Sequence, residues 1–331
     1  MPNPSSTSSS KTERARRALL LAATLIVLLE TAFAFLPENK LVITFRADSI
    51  PAQGPDWQIM GDSVAKGGIL PVQVMAALPP DVLVYNAAVA GTGPEFAYFM
   101  LKRQIAIGKA PKAILYAPSP HTFSSERVAL LVGGYARWGE IATIAGLGNE
   151  IPEVAYGILC KFSYTLRYRE QLGGLIKGHR LDAEEQGNAP TGEQRARHYT
   201  VATIHPMYKK PFKVADFNRA LLEKFLGLAT ENHIPVYWFT MPVMPAVEEG
   251  RAPHHFNDDY TAFLADLKQR HSVQILQSDF QVWDETNFHD MTHLNSTGAI
   301  RLSKLLGEKL AKPPPAAEQQ RPAAFPLDLP P

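Results

Sequence analysis

Ser63, Asp290 and His293 are the residues whose types and spacing could do chemistry together. Ser63 closes a Gly61-Asp62-Ser63 turn after the apolar run Trp57–Met60, and a helix is expected directly behind it. A short side chain at such a strand-to-helix turn sits at the carboxyl edge of a sheet, where helix N-terminal amides favour negative charge; a nucleophilic serine is well seated there. Alone, Gly-Asp-Ser is compatible with an ordinary turn. Far along the chain, the segment His289-Asp290-Met291-Thr292-His293-Leu294-Asn295-Ser296 enters a further helix. An aspartate three residues before a histidine can take the Nδ1 proton, fix the tautomer and leave Nε2 free to accept the proton of a serine. The chemistry implied is acyl transfer through a serine ester.

The elements that must position these groups alternate along the chain. Buried strands are expected at Trp57–Met60, 81–88, 112–117, 234–240 and 272–277, and helices at 64–78, 95–107, 214–232, Phe256–Arg270 and 296–310. Strands alternating with helices predict a parallel sheet covered on both faces, an α/β/α sandwich. Between 122 and 211 the alternation lapses. An inserted, mostly helical cap with a polar loop at 181–197 is expected there, over the carboxyl edge of the sheet and shaping the pocket.

With these motifs in place, the chain resembles the SGNH/GDSL esterase and acyltransferase superfamily over roughly residues 57–310. The resemblance is carried by Met60-Gly61-Asp62-Ser63, by the Tyr85-Asn86 to Gly93-Pro94 segment and by Asp290-x-x-His293. It looks closest to the membrane-anchored bacterial branches, some of which add acyl groups to extracellular glycans or remove them. What the resemblance implies is a flavodoxin-like three-layer fold with a mostly parallel five-stranded sheet, a Ser63-His293-Asp290 triad and an oxyanion hole. In that hole the amides of Ser63 and Gly91 would take part, with Gly93 close behind. The third motif of the family, usually Gly-x-Asn-Asp, would fall at Pro118-Ser119-Pro120-His121, where no asparagine is present. Ser119 or His121 would then have to donate, or the hole is smaller; losing one donor typically costs about 3 to 4 kcal/mol of transition-state stabilisation. Asp62, Gly93 and His121 are candidate substrate contacts. An ordinary loop histidine is the plainer reading of His121, and turn-shaping is the plainer reading of both glycines.

At 331 residues, 46% hydrophobic and 20% charged, the chain can bury one sizeable core. A net charge of +1 gives no reason to expect nucleic acid. The single cysteine, Cys160, excludes an internal disulfide framework and a cysteine-based zinc site. His254-His255 and the His289/His293 pair lack the glutamate of a zinc-protease helix, so no metal is expected. No phosphate loop or dinucleotide fingerprint occurs, and no cofactor is implied.

Residues 1–17 are polar, serine-rich and then basic and are expected to be a disordered N-terminus, and the apolar run 18–36 follows, interrupted by Glu30. At 1.5 Å per residue the run is about 28 Å long, close to the ~30 Å hydrocarbon thickness. Glu30 would cost about 3 kcal/mol at most, against about −0.3 to −0.6 for each Leu, Ile, Val and Phe. An uncleaved anchor is expected, its basic flank cytoplasmic and residues 37–312 extracytoplasmic, in the periplasm. Ala32-Phe33-Ala34 also fits a signal-peptide cleavage site, which would give a secreted domain; a buried soluble helix is the third reading. Residues 313–331 read as a disordered Pro-rich tail. The expected partners are an acylated glycan or other ester substrate, the membrane, and a multi-spanning acyl donor. A catalytically inactive glycan- or partner-binding relative and a purely structural envelope protein are the readings from other classes. The Tyr/Arg segment Arg167, Tyr168 and Arg169 is a candidate glycan contact, with a solvated helix face as its plainer reading.

Overall fold

A computed structural model describes residues 7–34, 50–124, 126–147, 151–167 and 198–311. Five strands form one all-parallel sheet in the order β2-β1-β3-β4-β5, with β1 at Trp57–Met60, β2 at Val84–Asn86, β3 at Ala113–Tyr116, β4 at Val236–Phe239 and β5 at Val273–Gln277. This is the doubly wound order in which the chain reverses direction across the sheet between β1 and β3, so a crevice opens at the carboxyl ends of those strands. Ser63 follows β1 and Ser119 follows β3.

Helices cover both faces of the sheet. Among the described residues the helices are α1 (Thr7–Ala34), which joins neither face, α2 (Ser63–Gly68), α3 (Pro71–Met75), α4 (Pro94–Ala106), α5 (Trp138–Ala145), α6 (Ile151–Phe162), α7 (Asp216–Glu231), α8 (Pro245–Arg251), α9 (Phe256–Arg270) and α10 (Ser296–Ala311), with shorter turns between. One core lies beneath α4, α7 and α9, and holds Phe99, Leu101, Phe225, Trp238, Tyr260 and Phe263. The other lies beneath α2, α3, α8 and α10, and holds Ile59, Ile69, Leu115, Phe239, Leu302 and Leu306. Strand positions therefore alternate between two buried layers, which is why β3 and β4 are apolar throughout. The polar exception inside β1 is Gln58, fully buried. Its amide exchanges two hydrogen bonds, of 2.8 and 2.6 Å, with that of Gln104 on α4.

The single helix expected over 64–78 is broken into α2 and α3. Pro71 drives Leu70 out of the helical region, and the freed Leu70 amide donates to Ser303 Oγ of α10 at 2.8 Å. The strand expected over 81–88 is limited to Val84–Asn86. Asn86, paired with Ile59 in the ladder, ends the strand, and its side chain reaches out of it: Nδ2 donates to the carbonyl of Ile69 at 2.8 Å and to that of Ala65 at 3.2 Å, tying β2 to the segment behind Ser63.

The described part of the 122–211 insertion divides: 128–167 is largely helical and packs away from the site, while Tyr208 reaches it, its hydroxyl 2.5 Å from Thr292 Oγ1. Val128, Leu131 and Val132 are buried in the α4 core, and Arg103 of α4 pairs with Glu140 of α5 in a buried ion pair that also engages the Tyr135 carbonyl. The cap thus leans on one face of the sandwich. Arg167 is turned inward, donating to the carbonyls of Cys160 and Lys161. Tyr168, Arg169 and the loop 181–197 lie outside the described residues, as do 35–49 and the tail 313–331.

α1 begins at Thr7, so part of the stretch expected to be disordered is helical, and along it the side chains of Leu19, Leu20, Leu21, Leu25, Ile26, Val27 and Leu28 are exposed. Glu30 accepts hydrogen bonds from Ser163 Oγ and from the Thr165 amide. Among the described residues no helix is long and apolar enough to cross a membrane. The side chains of Leu29 and of 32–34 fall outside them, so the apolar run 18–36 is covered only in part.

Candidate active site

Asp62 is the N-cap of α2, its Oδ1 accepting the Val64 amide at 2.9 Å, and Ser63 is the first helical residue. The turn before it needs a glycine, because a Cβ on Gly61 would lie 2.5 Å from the Ala117 carbonyl oxygen. Among the described residues the Ser63 amide finds no protein acceptor. A first-turn amide of this kind faces whatever approaches the serine.

The histidine arrives on a braced loop. Phe288 and Leu294 form an antiparallel bridge, the His289 amide donates to the His293 carbonyl at 2.8 Å, and Asn295 Nδ2 donates to the Thr286 carbonyl at 2.7 Å. Inside the loop Asp290 Oδ1 accepts the amides of Thr292 and His293, each at 2.8 Å, while Oδ2 lies 2.9 Å from His293 Nδ1. On the other side of the ring, Nε2 lies 2.8 Å from Ser63 Oγ. The side chains of His293 and Asp290 remain 26% and 39% exposed, so the constellation opens to solvent.

Burial pushes Asp290 towards its neutral form, but the hydrogen bonds from the His293 ring and the two amides outweigh it, holding the carboxyl down at about 2. Burial likewise favours neutral His293. The hydrogen bond and charge of Asp290, with the charge of Asp62 behind them, win and hold the imidazole above its ordinary 6.5. This arrangement can deprotonate a serine hydroxyl and stabilise the imidazolium that results.

The other expected site residues divide. Gly91 stands at φ +70° in the turn after β2, its carbonyl held by Arg127 Nη1 and its own amide without a protein acceptor among the described residues. It stays a candidate oxyanion donor. Asp62 does not: 2% exposed, it uses Oδ1 on the Val64 amide and Oδ2 on the Ser119 amide at 3.0 Å, so it clamps the loop after β3 to the loop after β1 from a buried position. The Ser119 amide is committed by the same bond, and only its hydroxyl can serve an oxyanion. The Gly93 amide donates to the Glu95 carboxylate at 2.9 Å, which removes it as a ligand contact. Arg127, which sequence reasoning passed over, fixes the Gly91 turn from 36 residues away, and no local pattern marks it.

His121 lines a cavity of about 30 Å³ together with Val64, Ser119, Tyr208, Arg251 and Thr292. Val64 and Thr292 directly adjoin Ser63 and His293 in the chain. Burial pushes His121 down to about 4, so its ring is neutral near pH 7, and its Nδ1 is buried without a partner. No residue of 128–167 lines the cavity; Tyr208 at the end of the insertion does, together with 241–251 after β4. Among the described residues no group of three His, Cys, Asp or Glu is placed to hold a metal ion.

No protein-family model matches the chain, and no characterised protein gives a significant match.

Proposed function

We propose that the protein carries out serine-dependent acyl ester chemistry through an acyl-enzyme. The observation that carries this reading is the continuous chain of contacts Ser63 Oγ, His293 Nε2, His293 Nδ1 and Asp290 Oδ2, with links of 2.8 and 2.9 Å. Ser63 attacks the carbonyl carbon of an ester while His293 takes its proton, and the tetrahedral oxyanion is met by the amides of Ser63 and Gly91. His293 then returns the proton to the leaving alkoxide, giving the acyl-serine and a free alcohol. Water releases the acyl group in an esterase, and a sugar hydroxyl takes it in a transferase.

The apolar run 18–36 and the basic residues Lys11, Arg14, Arg16 and Arg17 before it favour an anchored domain facing outward, which makes a cell-envelope or extracellular glycan the substrate class. This placement, and kinship with SGNH/GDSL enzymes, belong to the same proposal. A serine-directed fluorophosphonate separates it from a catalytically inactive binder: labelling of the purified chain that disappears in Ser63→Ala and falls strongly in His293→Ala is the expected result. No labelling of a well-folded chain would leave the binder. Mass measurement of an acetyl adduct, followed by its loss to oligosaccharide or to water, divides transferase from esterase.

A further inference from the structure

Arg251 ends α8 with its side chain in the interior, 2% exposed. The guanidinium carbon lies 4.5 Å from the ring centre of Phe256, 4.6 Å from that of Phe280 and 5.5 Å from that of Tyr208. Burial lowers it to about 10, so it is still charged near neutral pH. Its Nε and Nη1 are buried without a hydrogen-bond acceptor, and it forms no ion pair among the described residues. Neither acidic group near it closes an ion pair with it. Glu248, one turn earlier, gives Oε1 to Asn257 and keeps Oε2 buried without a hydrogen bond, so it attracts Arg251 by charge alone, and Asp62 gives one oxygen to each of two amides.

Three aromatic faces offset part of the desolvation of a guanidinium, but they form no hydrogen bond with its N–H groups. A buried charge without an acceptor is strongly disfavoured, and an anion that supplies one relieves that penalty. The side chain also borders the cavity that Val64 and Thr292 line next to Ser63 and His293. At about 30 Å³ this space holds about two waters, or one group of the size of a formate ion.

We infer that Arg251 forms an anion subsite that binds a carboxylate carried by the ester substrate. The neutral rings of His121 and Tyr208 form its walls, and Arg251 supplies the charge. The inference rests on the acyl-transfer reading for its place in a reaction, though the binding itself does not need a working nucleophile. Two sources of the carboxylate share this chemistry: the acyl part, as in a half-ester of a dicarboxylic acid, or the alcohol part, as in an acidic sugar.

The test uses the full chain purified in detergent. Formate, titrated against thermal unfolding, should raise the Tm of the wild type and of Ser63→Ala, and not that of Arg251→Gln. Hydrolysis of mono-p-nitrophenyl succinate against p-nitrophenyl acetate probes the acyl source, and 4-acetoxybenzoate against phenyl acetate probes the alcohol source, each rate normalised to its spontaneous hydrolysis. One pair should show a preference of about tenfold in kcat/KM for the charged ester, and this preference should collapse in Arg251→Gln. If Arg251→Gln does not fold, the wild type alone still decides through its formate shift and its charge preference, and Arg251→Lys should retain part of both. A wild type whose Tm ignores formate, or an equal shift in Arg251→Gln, overturns the subsite; so does hydrolysis of both pairs without charge preference. Formate binding that depends on Arg251, in a chain that hydrolyses none of the esters, would uphold the subsite and remove the acyl-transfer reading alone.

Discussion

Ser63 Oγ lies 2.8 Å from His293 Nε2, although 230 residues separate the two in the chain. Parallel strands deliver both to one edge of the sheet, where α2 begins and the loop before α10 turns back. Asp290 then holds the ring from within that loop, by the side chain and through the backbone together.

Asp290→Asn should leave the fold intact and lower kcat by roughly 10³- to 10⁴-fold, because the amide can present its NH₂ to Nδ1 and favour the wrong tautomer. Steady-state hydrolysis of p-nitrophenyl acetate measures this. A loss of less than about tenfold would show that Asp290 does not orient the base.

The pH profile follows from His293. Its neutral form is the base, and its pKa is held above 6.5, so kcat/KM should rise with pH through an inflection above 6.5. In Asp290→Asn that inflection should move to lower pH. Stability runs the other way. The raised His293 pKa stabilises the fold fully below 6.5 and loses that contribution as pH rises through the folded value; the depressed Asp290 pKa stabilises above 3.8 and is lost towards about 2. The difference in unfolding free energy between wild type and Asp290→Asn should therefore be greatest between about 4 and 6.5 and shrink on the alkaline side. His121, whose folded value is about 4, removes stability from both proteins as pH falls below 6.5.

Asp62→Asn tests the clamp. One amide atom can still accept from Val64, but the other is an NH₂ facing the Ser119 N–H donor. Denaturant unfolding should show a loss of about 1 to 3 kcal/mol, and the loop carrying His121 should exchange its amide protons faster. Unchanged stability would contradict the two bonds to the carboxylate.

Gly91→Ala places a Cβ at φ +70°, 2.9 Å from Arg127 Nη1. The strain should cost about 1 to 2 kcal/mol of stability. If the Gly91 amide meets the oxyanion, kcat should fall while KM holds, since the contact is made only in the transition state. A rise in KM at constant kcat would place Gly91 in ground-state binding instead.

Much of this architecture was legible in local pattern. β1 and α9 fall on the expected residues, and β3, α4, α7, β4, β5 and α10 shift by no more than about two, because buried strands are apolar runs and helices carry a 3.6-residue stripe. The break at Leu70 could have been found from Pro71 alone. The neighbourhood of Ser63 and His293 was an inference from two motifs, and the structure joins them.

The sequence by itself determined the alternation of strand and helix, the glycine turn before Ser63 and the short-range pairing of Asp290 with His293, because each depends on backbone preferences and contacts a few residues long. Only the tertiary structure decided the uses of groups whose partners lie far along the chain. It commits Asp62 to Ser119 and Arg127 to Gly91, leans the cap on α4 and leaves Arg251 buried without an acceptor. A polar side chain carries no sign of which distant amide or cavity it will meet until the sheet brings them together.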